Sequence, residues 1–198
     1  MELWKSQADD SLWIDPLLES DQIGETSIDL RLGYDFLVSI QTRSSSIDVS
    51  RKEDPQKRAI ASYFQETRRE LGEKFILHPS QVVLACSLEY LSIPSNIIAD
   101  LYSRSSYNRL GLPINSSIQP GFRGCAPIEL FNHGNTPVEL VVGARICQIR
   151  LYELPEKSSY ISNTQLRKYY GDVRPRVSAA DNDSDIKKLL EISNKAMQ

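Results

Sequence analysis

Val82-Val83-Leu84-Ala85-Cys86-Ser87-Leu88 is a run of β-branched and apolar residues, and Ile97-Ile98-Ala99-Asp100-Leu101-Tyr102 is a second; the turn formers Ile93-Pro94-Ser95-Asn96 lie between them. Short apolar runs punctuated in this way read as strand, turn, strand. The same grammar extends outward on both sides. Phe75–Leu77 precedes it, and Pro127–Phe131, Val138–Val141 and Arg145–Tyr152 follow. The breaks fall at His78-Pro79-Ser80, Gln119-Pro120-Gly121 and His133-Gly134-Asn135. Nearer the N-terminus, Ser27-Ile28-Asp29-Leu30-Arg31-Leu32-Gly33 alternates polar and apolar residues with period two and stops at glycine, and Phe36–Ile40 continues the pattern. Many short strands at this spacing imply a mostly β chain: a sandwich, a jelly roll or a small barrel.

Two stretches interrupt the strands. Between Ser44 and Gly72 the chain turns polar and charged, and its spacing predicts a helix over about Gln56–Leu71, an insertion near 55–72. After Leu154 it becomes irregular, with Tyr160, Lys168-Tyr169-Tyr170 and Arg174-Pro175-Arg176, before Ser184–Ala196 regains helical spacing behind Asn182-Asp183-Ser184. The expected organisation is a β domain over 1–154 with an N-terminal extension, followed by a C-terminal lid or tail with a terminal helix over 155–198.

At 198 residues, 40% hydrophobic and 25% charged, the chain has the size of one soluble globular domain. No apolar run approaches the roughly 18 residues a spanning helix needs, and the acidic opening Met1-Glu2-Leu3-Trp4 does not read as a secretory signal. The expected location is the cytoplasm, away from membranes. Cys86, Cys125 and Cys147 are odd in number and set among apolar residues, so they read as reduced thiols. A net charge of −3 offers no global positive field for a nucleic-acid polymer. A small anion needs only a local group of donors, and remains open.

Which chemistry do the residues permit? Only His78 and His133 exist, both in turn contexts, so a nucleophile with a histidine base has little to draw on. Walker, Gly-x-Gly-x-x-Gly and Gly-x-Ser-x-Gly patterns are missing, as are the His-x-Glu and Pro-Cys-x-x-Cys of zinc deaminases. A hydrolytic deaminase built from this chain would activate water with a carboxylate and no zinc. The densest polar cluster is Tyr102-Ser103-Arg104-Ser105-Ser106-Tyr107-Asn108-Arg109-Leu110-Gly111. It reads either as a phosphate grip of guanidiniums and hydroxyls or as a solvated polar turn. Glu129 falls in an apolar strand, Pro127-Ile128-Glu129-Leu130-Phe131. It is either a functional carboxylate turned inward or a solvated one on the outer face.

Taken together, the segments resemble the dCTP deaminases, which share a trimeric, distorted jelly-roll β fold with the trimeric dUTPases. The likeness rests on Thr26–Gly33, Phe75-Ile76-Leu77-His78-Pro79, Val82–Leu88 and Ile93-Pro94, and on the more specific Arg104-Ser105-Ser106-x-x-Arg109-Leu110-Gly111-Leu112. Pro120-Gly121-Phe122-x-Gly124, then Glu129, and Gly143-x-x-Ile146-x-Gln148 complete it. The resemblance implies conversion of dCTP to dUTP and ammonia with Glu129 as acid and base, and Ser105 and Arg109 positioning the water and holding the glutamate ionised. It implies nucleotide contacts at Arg104, Ser105, Ser106, Arg109, Gln119, Pro127, Ile128, Glu129 and Gln148. Tyr160, Lys168 and Tyr169 would belong to a lid over the triphosphate. Magnesium would enter with the triphosphate, dTTP is a candidate inhibitor, and the sites would lie between subunits of a homotrimer.

Two departures stand out. The stretch Pro113–Gln119 is shorter than the hairpin that reads the base in the family, which leaves two readings open: recognition of another base, or direct base contacts from Asn115, Ser116 and Ser117. Gln119 stands where the family has an aspartate before Pro-Gly; in dUTPases that aspartate activates the water that attacks the α-phosphate. Two alternatives therefore accompany the main reading: a bifunctional enzyme that goes on to dUMP, which Gln119 disfavours, and a nucleotide-binding regulator without turnover.

Overall fold

The computed structural model describes residues 10–50, 59–158 and 168–196. They divide into two compact units, Met1–Val38 with Glu66–Arg176, and Ser39–Gln65 with Val177–Gln198. The first unit is β, as its apolar runs require. One sheet is built on β6 (Val82–Ser92), which pairs with β1 (Trp13–Asp15) and β3 (Asp35–Ser39) and, on its other side, with β9 (Arg123–Phe131); β4 (Phe64–Arg68) follows β3. The second sheet runs β2 (Ile28–Arg31), β11 (Arg145–Glu153), β7 (Ile97–Ser103), β8 (Asn115–Ile118). A ribbon of β5 (Lys74–Leu77) with β10 (Val138–Val141) completes it. Leu30, Leu91, Leu101, Ile128, Leu130 and Ile149, each at most 1% exposed, lie in the common core. They sit at alternate strand positions, as a pleated sheet with one buried face demands. Among the described residues no helix is long and apolar enough to cross a membrane.

One irregularity shapes the first sheet. The β6–β9 register shifts between Cys86 and Tyr90, a bulge that swings Glu89 into the core, where it is fully buried. Its carboxylate accepts from Gln22 Nε2 and the Arg31 amide, both at 2.9 Å. Ser87 Oγ fills the gap in the ladder, accepting from the Ala126 amide at 2.8 Å and donating to the Glu89 carbonyl at 2.6 Å. Burial pushes the Glu89 carboxyl above its ordinary range, with those donors opposing.

The second unit corrects one expectation. The predicted helix over Gln56–Leu71 falls partly on 51–58, outside the described residues; from 59 onward the chain makes a 3-10 turn, Ile60–Tyr63, and enters β4. Long-range contacts outweigh the weak local preference for helix: Ile60 and Tyr63 are buried, the Tyr63 hydroxyl donates to the Ser46 carbonyl, and the Tyr63 carbonyl accepts from the Ile40 amide. The terminal helix is where its spacing puts it, α2 over Ser184–Ala196 behind a 3-10 turn at Ala180–Asn182. Asp185 in its first turn and Lys195 in its last complement the helix dipole.

Beyond Leu154, the described residues up to Arg176 stay with the β unit because the chain returns along β9: Gly171 N–H donates to the Arg123 carbonyl at 2.6 Å, and Cys125 N–H to the Asp172 carbonyl at 2.9 Å. Gly124 makes the approach possible. Its φ is 139°, and a Cβ there would stand 2.6 Å from the Asp172 carbonyl oxygen.

Candidate active site

The residues singled out from the sequence gather at two places. The first is the outer row of the second sheet. Central β11 sets Gln148 opposite Asp29 on one side and Tyr102 on the other. Arg104 leaves β7 with its amide still in the ladder, donating to the Ile146 carbonyl at 3.0 Å. Its guanidinium is held by Asp29, Nε to Oδ2 3.3 Å, and by the Arg145 carbonyl at 3.2 Å. Arg145 lies 3.9 Å from the same Asp29 oxygen and 3.1 Å from Asp21. Ser27 donates to Gln148 Oε1 at 3.0 Å.

From Arg104 the chain makes a single helical turn, α1 (Ser105–Asn108), which Gly111 ends at φ 81° by donating to the Asn108 carbonyl. Leu112, buried, and Tyr107, packed on the core, pin the turn. That leaves Ser105, Ser106 and Arg109 exposed on its outer side. The polar cluster is thus neither a flexible loop nor part of the core: it is an anchored platform of donors open to solvent.

The second place is the outer face of β9. Ala126, Ile128 and Leu130 point to the core, so Cys125, Pro127, Glu129 and Phe131 take the other face. Of the two readings of Glu129, the outer one holds. The carboxyl is solvent-accessible in the single chain, yet the sheet behind it is dense enough to push its pKa above the usual carboxylate range, its own amide opposing. The side chain of Ile128 is fully buried, so a nucleotide would meet only its main chain. Alternate strand residues turn their main-chain groups to the same edge; the edge on which Cys125 meets Asp172 is also that of Pro127 and Glu129.

A cavity of about 150 Å³ opens beside this strand, lined by Gln119, Pro127, Lys168 and Tyr169, together with Ser117 and Phe122. Five residues named from the sequence, Ser117 included, therefore share one cavity. Ser117 belongs to β8, so the shortened stretch is an edge strand with Ile114 and Ile118 in the core. Tyr170 and Phe122 also line the cavity and were not singled out, nor was Asp29 as the holder of Arg104. The charge of Asp29 within an alternating strand, close in sequence to Ser27, is the signal that marks it. Tyr160 lies outside the described residues.

Within one chain the cavity end of the second place lies far from Arg104. Among the described residues no hydrogen bond or ion pair joins Glu129 to Ser105 or Arg109. Ile118 pairs with Ala99, so Gln119 lies by Ile98, at the opposite end of β7 from Arg104. At about 3.3 Å per residue the two are on the order of 20 Å apart.

Comparison with known proteins identifies relatives of the chain. A family model described as dCTP deaminase-like matches residues 1–154. A "dCTP deaminase, dUMP-forming" of Methanobrevibacter smithii is 34% identical over 180 residues, 88% of this chain and 90% of the relative. A dCTP deaminase of Natronomonas pharaonis is 34% identical over 180 residues, 88% and 89% of the two chains. The crystal structure of 2'-deoxycytidine 5'-triphosphate deaminase from Agrobacterium tumefaciens superimposes with a TM-score of 0.52 at 25% identity; the match covers 71% of this chain and only 43% of that one. On the breadth of the family match and the identity to its relatives, this chain belongs to the dCTP deaminase-like family.

Proposed function

We propose that the chain deaminates dCTP hydrolytically to dUTP and ammonia, with Glu129 as acid and base. The observation that carries the reading is Glu129 on an outer strand face, two residues from Pro127 at the cavity of Gln119, Lys168 and Tyr169, with a carboxyl that holds its proton more tightly than usual. Such a group suits both halves of the reaction. Its carboxylate takes a proton from water as the oxygen bonds to C4 of cytosine. The tetrahedral intermediate then expels ammonia as the carboxylic acid returns that proton to the amine.

Arg104, Ser105, Ser106 and Arg109 would supply donors to phosphate oxygens, with Gln148 beside them, and Ser105 and Arg109 would also orient the water and favour the ionised glutamate. Gln119, Pro127 and the main chain of Ile128 would contact sugar and base; Lys168, Tyr169 and Tyr160 would close over the triphosphate. The wide separation of Gln119 from Arg104 along β7 supports a site made by two copies of the chain, in a homotrimer. Magnesium would arrive on the triphosphate, as part of the substrate. dTTP, which shares the triphosphate and a pyrimidine ring, would compete for the same donors.

A second reading has its own observation: the relative from Methanobrevibacter smithii carries the name dUMP-forming. A chain that also cleaves the triphosphate would release pyrophosphate; Gln119 opposes this, because an amide cannot take a proton from the attacking water. A regulator that binds without turnover is the remaining alternative. Incubation with magnesium and dCTP separates the three: ammonia with dUTP supports the proposal, ammonia with dUMP and pyrophosphate supports the bifunctional reading, and tight binding with dCTP unchanged supports the regulator.

A further inference from the structure

Cys86 and Cys125 have no part in the proposed reaction. They lie on the outer face of the first sheet, diagonal to one another: Cys86 is registered with Pro127 and Cys125 with Tyr90, the bulge falling between. Three residues of β6 against one of β9 fold the ladder there, which leaves the two thiols as diagonal neighbours across the bulge. The Cys86 sulfur lies 3.7 Å from the Val173 carbonyl, to which its thiol donates. Over the pair runs the segment that carries Lys168 and Tyr169, joined to β9 through Gly171 and Asp172, and to β3 through Arg174, whose Nε is 3.5 Å from Asp35.

The two thiols differ as a reactive pair must. Cys86 is buried, and the neighbouring sulfur and lost hydration raise its pKa; Cys125 is half-buried, and the neighbouring Cys86 thiol lowers its own. A half-buried thiol of lowered pKa beside a buried, protonated partner is the arrangement for oxidation followed by resolution. Cys147, by contrast, is fully buried against the Leu30 carbonyl.

We infer that Cys86 and Cys125 form a peroxide-sensitive pair whose disulfide loosens the segment 171–174 from β9. The Cys125 thiolate attacks a peroxide oxygen; the S–O bond forms as O–O breaks, and the departing hydroxide takes a proton to give water. The Cys86 sulfur, releasing its proton, then attacks the sulfenic sulfur; S–S forms, S–O breaks, and that proton leaves with the hydroxide as a second water. Two thiols are oxidised and one hydrogen peroxide is reduced, with no other reagent. The oxidised Cys86 sulfur has no proton for the Val173 carbonyl, and losing one such tether raises local opening by about two- to tenfold.

The test uses the full reduced chain and hydrogen peroxide, without nucleotide, so it stands apart from the deaminase proposal. The expected results are an intact mass lower by two hydrogens, a peptide map linking Cys86 to Cys125, and hydrogen exchange of the Gly171 and Cys125 amides faster by about two- to tenfold, restored by a thiol reductant. Cys125→Ser should give no link and no change in exchange. Cys86→Ala, if it folds, should let Cys125 accumulate as sulfinic acid for want of a resolving thiol. An unlinked Cys125, a link through Cys147, or a Cys86–Cys125 link with unchanged exchange overturns the inference.

Discussion

Glu129 sits where two demands meet: to accept a proton from water and to return it to a leaving amine. A carboxyl pushed above its ordinary range serves the second demand but must first be ionised for the first. As pH rises through the Glu129 pKa the carboxylate population grows, so kcat/KM for dCTP should climb along an acid limb, placed above the usual carboxylate range near 4.3 where burial outweighs the donors Ser105 and Arg109. A pH–rate profile checks this; a limb at the ordinary glutamate value would show that Glu129 in the working enzyme is not perturbed. Sequence alone left Glu129 open between inner and outer face, because an alternating strand has two phases and only the buried partners Ala126, Ile128 and Leu130 fix which applies. Ile128 shows the reverse limit. The likeness to a family marks the position, but only the packing shows that its side chain serves the core.

At the scale of elements, β9 and the returning segment act as a pair. Replacing Gly124 by alanine would force a side chain to within 2.6 Å of the Asp172 carbonyl at a backbone angle that disfavours it. The segment should shift, and with it Lys168 and Tyr169, raising KM for dCTP by roughly tenfold, the equivalent of about 1.4 kcal/mol, with kcat less affected. Steady-state kinetics decide; an unchanged KM would separate the segment from substrate binding. The bulge in β6 makes a different prediction. Ser87→Ala leaves the Ala126 amide without its acceptor in the core, and urea unfolding should show a loss of about 1–3 kcal/mol. Strands such as β6, β7 and β11 were legible because long apolar runs between turn formers need no partner to be recognised. β1, β4 and β8 were not: Trp13–Asp15 and Asn115–Ile118 are short edge strands, and Phe64–Arg68 is held by pairing rather than by its own preference.

At the scale of the molecule, one chain keeps Glu129 and the Ser105–Arg109 platform on different sheets. Sequence order says nothing of this separation, since both motifs lie within thirty residues and only the strand pairing sends them apart. If two copies complete each site, Glu129→Gln and Arg109→Ala chains, each inactive alone, should regain deaminase activity when unfolded together and refolded as mixed trimers. Failure of the mixture, with both variants folded and trimeric, would place the whole site within one chain. The central claim is most directly tested by ammonia release from magnesium dCTP, measured for the unaltered chain beside Glu129→Gln, with dCTP binding followed by calorimetry in both. The account predicts steady ammonia from the first, a rate lower by roughly 10²–10⁴ in the second, and near-equal binding. Comparable ammonia release by Glu129→Gln, or none from either chain, would contradict it.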